Sequence, residues 1–175
     1  MPALNNQPDN LNFLSPLGFR FFFKRSPNVN FFLTEAGVPS LSVEPIPIRT
    51  PFQTLNVPGS GVINYGDFDI TFKVDEDMRN YQEIYDWIIA NAAPERFSQH
   101  SVVRDAPIVS GAGIHSDATL TILNSAYRPN IEYQFQRMFP ISLSNLRFST
   151  AETDVEYITA QASFKFEIMT INRLT

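Results

Sequence analysis

The run from Tyr157 to Ile171 constrains this chain more than any other segment. Ile158, Ala160, Ala162, Phe164, Phe166 and Ile168 alternate with Thr159, Gln161, Ser163, Lys165 and Glu167. Period-two alternation of this length predicts one long strand with a buried face and a polar face. That makes the chain a β-sheet scaffold.

Other segments obey the same rule. In Asp67–Val74, Phe68, Ile70, Phe72 and Val74 lie on one face, with Asp69, Thr71 and Lys73 on the other. Phe19–Lys24, Asn30–Ala36, Ala118–Leu123 and Ile131–Gln136 read as further strands, with a turn at Ser26-Pro27-Asn28. Only one segment has helical spacing. Met78, Tyr81, Ile84, Tyr85 and Ile88 recur at three and four, predicting a helix from about Met78 to Ala92. Asp75 or Asp77 can cap it, and Pro94 ends it. Sixteen Phe among 175 residues lean toward β structure and one domain over 1–175, with 1–12 as a flexible polar arm.

Ser40–Pro58 is unlike the rest. Alternating apolar and polar residues predict strand, yet Pro45, Pro47 and Pro51 cannot donate ladder hydrogen bonds. The segment reads as an extended arm or long hairpin with its tip near Pro45–Pro51. Such an arm has few partners within its own chain and is better packed on a neighbour.

Nothing in the chain points to catalysis, a metal or a cofactor. There is no Cys, and His100 and His115 lie in a polar stretch, Glu95–Ser116, without ligand spacing. Asp75-Glu76-Asp77 directly precedes the helix, where acids oppose the helix dipole, so capping explains it better than a cation. Gly59-Ser60-Gly61 lacks the lysine of a phosphate loop, and neither Ser60 nor Ser110 sits in a nucleophile elbow. The formal charge of −5 argues against a grip on nucleic acid, and Phe21-Phe22-Phe23 reads as core or an intersubunit face rather than a base-stacking platform. No apolar run approaches a membrane span, and the polar start does not resemble an export signal, so neither membrane insertion nor secretion is expected.

Several phrases in order carry a resemblance. They are Phe31-Phe32-Leu33-Thr34-Glu35-Ala36-Gly37-Val38-Pro39, Pro58-Gly59, the run Tyr65 to Asp77, Tyr81 to Ile88 with Trp87 near its end, Ser116 to Leu123, and Phe139-Pro140-Ile141-Ser142-Leu143. From about Asn30 to Ile171 the chain resembles the tail tube proteins of contractile-tailed bacteriophages. The resemblance implies a mainly β (α+β) fold: an antiparallel β-barrel or sandwich with one flanking α-helix and a long proline-bearing hairpin arm. It also implies a structural virion protein of the tail, assembled in the host cytoplasm, with no chemistry to perform.

The expected partners are copies of the same chain in stacked hexameric rings, with tail sheath and baseplate proteins around them. Genomic DNA would pass through the lumen without specific binding. Asp67, Asp69, Thr71, Thr159, Gln161, Ser163 and Glu167 are the candidate lumen-facing residues. Pro45, Ile46, Pro47, Ile48, Arg49, Pro51 and Phe52 are the candidate arm between rings. Two other readings stay open: a ring that initiates or ends the tube, and a monomeric ligand-binding β-sandwich.

Overall fold

The computed structural model describes residues 11–59, 61–92, 113–150 and 157–174. Residues 1–10 of the predicted 1–12 arm, the stretch 93–112 with Pro94, His100 and Ser110, and Ser60 lie outside them. Two four-stranded antiparallel sheets share one long strand. The first contains β1 (Phe19–Phe23), β8 (Ser116–Leu123), the N-terminal half of β9 (Pro129–Leu143) and β11 (Ile168–Arg173). The second contains the C-terminal half of β9, β10 (Thr159–Lys165), β7 (Phe68–Lys73) and β2 (Leu33–Ala36).

Alternation builds the core between them. Phe21 and Phe23, Ala118 and Leu120, Phe135 and Met138, Ala160, Ala162 and Phe164, and Phe68, Ile70 and Phe72 all turn inward and are buried. The rings interlock, with Phe68 and Phe135 centroids 4.6 Å apart and Phe23 edge-on to Phe164 at 5.4 Å.

The final segment is not one strand. It breaks at Phe166 and Glu167, and parity flips there: Phe166 is buried, Ile168 is exposed, and Met169 packs against the core. A single-residue irregularity moves every following side chain to the opposite face, so β10 and β11 serve different sheets. Conversely, Ile131–Gln136 and Phe139–Leu143 are one strand, β9, bent at Arg137. That residue has φ of 55°, and its N–H donates to Asp117 Oδ1 at 3.1 Å.

Asn30–Ala36 is a strand only from Leu33. Pro27–Phe32 forms a short helix, α1, because proline at its first position is already set at a helical φ. The fold therefore has two helices among the described residues rather than one. The second, α2 (Arg79–Ala92), buries Ile84 and Trp87 completely, while Met78 and Tyr85 of the expected apolar face are exposed. Its start is tied to β7 through Asn80. The Asn80 amide donates to Lys73 O at 2.7 Å, its Oδ1 accepts the Tyr81 N–H at 2.8 Å, and Asp75 Oδ1 accepts the Asn80 N–H at 3.2 Å. Trp87 lies against Phe23, beneath the Arg25 guanidinium at 4.7 Å, and its Nε1 donates to Ile114 O.

Between β2 and β7 the chain leaves the body. β3 (Leu41–Val43) pairs with β6 (Ile63–Tyr65), and β4 (Ile46–Arg49) pairs with β5 (Thr54–Val57). The step between these ladders occurs at Gly59, where a Cβ would overlap the carbonyl oxygen of Glu44. The tip lies at Thr50–Gln53, closed by Thr50 N–H donating to Gln53 O at 3.0 Å. It overlaps the C-terminal end of the expected Pro45–Pro51. Among the described residues no helix is long and apolar enough to cross a membrane.

Candidate assembly surfaces

The outer face of the second sheet is a regular polar ladder. The β7–β10 register sets Asp69 across from Ser163, Thr71 across from Gln161 and Lys73 across from Thr159. One step further, Asp67 and Lys165 form an ion pair. Ser163 Oγ donates to Asp69 Oδ1 at 2.6 Å. Glu35 of β2 lies across from Thr71, and Ser142 of β9 across from Ser163.

Six of the seven expected residues thus meet on one face: Asp67, Asp69, Thr71, Thr159, Gln161 and Ser163. Glu167 stands apart at the bend, paired with Arg137. Lys73, Lys165, Glu35 and Ser142 belong to the same face and were not singled out from the sequence. The parity of β7 and β10 already placed the two lysines there. Glu35 and Ser142 required the sheet order.

The margins of this sheet are bare. Among the described residues β2 pairs only with β7, and Phe139–Leu143 pairs only with β10. Each margin presents a row of backbone donors and acceptors with no ladder partner, which is a template for another strand. Pro140 lies within the β9 margin, consistent with the confinement of proline to sheet edges. The first sheet also ends in single-partner strands, β1 and β11. Its outer face has polar rungs of its own, Thr119 across from Gln134 and Thr121 across from Glu132, but it also carries the exposed ring of Phe22 and the exposed side chain of Arg20.

The arm is one-sided. Ile46 faces Val57 and Ile48 faces Leu55, and all four are exposed. Pro47 with Asn56 and Arg49 with Thr54 form the opposite face. Pro45, Pro51 and Phe52 are exposed as well, with Phe52 98% accessible at the tip. A two-stranded ribbon is marginal by itself, and this one leaves its whole apolar face in water.

Among the described residues, no catalytic geometry accompanies these surfaces. His115 stacks edge-on to Phe139 at 5.6 Å. Among the described residues no three acidic or histidine side chains gather closely enough to hold a metal ion. Asp75 caps α2 through Asn80, and Asp77 pairs with Arg79 at 3.1 Å.

The model of the phage tail tube protein family matches residues 6–172. Among solved structures, the fold superposes on a chain of the sheath–tube complex of an extracellular contractile injection system, PVC, in its extended state. The TM-score is 0.64 at 13% identity, covering 94% of each chain. It superposes on the tube-terminating cap of the anti-feeding prophage with a TM-score of 0.61 at 12% identity, covering 99% of each chain. For a chain of the six-fold symmetrised baseplate of that particle the TM-score is 0.54 at 11% identity, covering 88% of this chain and 90% of that one. No curated protein sequence matches the chain. At these identities the superpositions show a shared fold.

Proposed function

This chain belongs to the phage tail tube protein family, whose members are structural and non-enzymatic, and from that premise we propose that its copies close into hexameric rings stacked as a hollow tube inside a contractile sheath. The observation that carries this reading is the pair of bare margins on the second sheet. If β2 of one copy lies against the Phe139–Leu143 segment of the next, both rows of backbone groups are satisfied. A closed circle leaves no edge, which is the usual solution for a sheet that would otherwise aggregate.

In such a ring the polar ladder from Asp67 to Lys73 and from Thr159 to Lys165 lines the lumen, with Glu167 at its rim. The face is slightly acidic, because Glu35, Asp67 and Asp69 outnumber Lys73 and Lys165 by one. Genomic DNA would slide past it without being held. The apolar face of the arm, Ile46, Ile48, Leu55 and Val57 with Phe52 at its tip, would be covered by the neighbouring ring. Sheath and baseplate proteins are the outer partners, and assembly takes place in the host cytoplasm before the protein is part of the virion tail.

A second reading within the same class is a ring that ends the tube. The superposition on the tube-terminating cap, complete to 99% of both chains, favours it. Electron microscopy and light scattering of the purified protein separate the outcomes. Long filaments of stacked six-fold rings support the main tube, and isolated rings support the end ring. Dispersed single chains at high concentration would sink both and return the monomeric binding sandwich.

A further inference from the structure

We propose that Asp67 keeps the polar ladder from gripping DNA by holding Lys165 in an internal pair; this inference rests on the tube reading above. The face carries two ammonium groups, one at each end of the β7–β10 ladder. Lys165 is ion-paired with Asp67, and both side chains remain partly exposed, at 45% and 41%. Lys73 lies over the ring of Tyr157, its Nζ 5.1 Å from the centroid. Neither side chain stands alone on the face.

The pair is built by the backbone. Phe68 lies across from Phe164, and continuing that antiparallel register by one residue sets Asp67 opposite Lys165. Opposite charges directly across two strands attract without any search by flexible side chains. The pair sits at the solvent surface, so it contributes little to folding. Its effect is on what approaches from outside. A phosphate nearing Lys165 also nears Asp67, and the attraction largely cancels.

Symmetry would multiply the consequence. In a ring, one unpaired lysine per copy becomes a belt of cations. Each phosphate neutralised by such a belt raises affinity for duplex DNA and steepens its salt dependence. A conduit with that belt would hold its cargo. Asp69 does not substitute for Asp67, because it stands one rung away and accepts from Ser163.

The test uses the full chain with Asp67→Asn, the double variant Asp67→Asn/Lys165→Gln and the swap Asp67→Lys/Lys165→Asp. Binding of a fluorescently labelled short DNA duplex is read by anisotropy. Asp67→Asn should bind about tenfold more tightly than the unsubstituted protein near 50 mM salt and lose that gain by about 200 mM. The double variant and the swap should return to the unsubstituted level. The proposal is overturned if Asp67→Asn binds no better than the unsubstituted protein, or if the double variant binds as well as Asp67→Asn. Microscopy of the same samples reports ring formation separately. The ladder is exposed in the single chain too, where one freed lysine gives a smaller gain, about threefold between the same two salt concentrations, so the titration reads the charge pair in rings and in single chains alike.

Discussion

Arg137 and Glu167 form an ion pair where the two sheets change over. Arg137 marks the bend of β9, and Glu167 marks the break between β10 and β11, with the Glu167 N–H donating to Gln136 O at 3.1 Å. The left-handed backbone at Arg137 is unusual for a residue with a Cβ and persists only where its surroundings hold it. Asp117 does so by accepting the Arg137 N–H. Asp117→Ala should therefore cost about 1 kcal/mol, the typical net contribution of a hydrogen bond, since solvent exposure weakens the charge assistance. Glu167→Gln should cost less, since half-exposed ion pairs contribute roughly 0–1 kcal/mol. Urea denaturation of the two variants ranks them, and the reverse order would contradict this account of the bend.

Trp87 should be the costliest position in the helix. It is fully buried against Phe23 and Phe164, and its Nε1 holds Ile114. Trp87→Ala is expected to lose about 3–5 kcal/mol, as for large aromatic truncations in cores. Thermal melting by circular dichroism measures it. As the single Trp in the chain, Trp87 also gives unsubstituted protein a clean fluorescence report of unfolding.

Asn80 is buried and its side chain is hydrogen-bonded on both ends. Asn80→Ala removes the donor to Lys73 O and the acceptor for the Tyr81 N–H together. The expected loss is about 2–3 kcal/mol, the sum of unsatisfied buried groups and a small cavity. Asn80→Asp should be no rescue, because a carboxylate cannot donate to the Lys73 carbonyl. Chemical denaturation at neutral pH tests both.

Glu83 gives a pH signature. Burial holds its carboxyl above the usual carboxylate range, against a smaller opposite effect of the Asn28 amide, which donates to Oε1 at 2.6 Å. Its folded pKa is raised, so the native state binds the proton more tightly than the unfolded chain. Stability from this group is therefore greatest in acid and is lost as pH rises through the folded pKa. Glu83→Gln should raise the urea midpoint at pH 7 and give no gain below the unfolded pKa. A gain of equal size at both pH values would point to packing instead.

The arm should be separable from the body. Ile48 and Leu55 are exposed, so the double variant Ile48→Ser/Leu55→Ser should leave the melting temperature of the single chain nearly unchanged. Under the proposed role of the arm, the same variant abolishes stacking, seen as rings without filaments in micrographs. Gly59→Ala should act likewise, because its new Cβ meets the Glu44 carbonyl and displaces the ribbon without touching the core.

Alternation made the strands β1, β7, β8 and β10 legible, since each has one wet and one dry face. It failed at Phe166–Ile168, because the apolar residue at 168 kept the pattern alive across a break that only the partner strand reveals. The turn expected at Ser26-Pro27-Asn28 was the start of α1: Pro27 suits a turn and a first helical position equally. Trp87 escaped the helical face because the expected stripe included Met78 and Tyr85; the buried stripe runs through Asn80, Ile84 and Trp87, which leaves Tyr85 outward, and Met78 precedes α2 with a left-handed backbone. The polar ladder was readable from parity. Its neighbours Glu35 and Ser142 depend on which strands lie side by side, a long-range choice that local pattern does not encode.

One strand, β9, belongs to both sheets without a break in its covalent chain. Force applied to one layer therefore reaches the other along peptide bonds as well as through the close-packed phenylalanine core. In the proposed tube, the shared strand would join the two skins of the wall covalently within every copy.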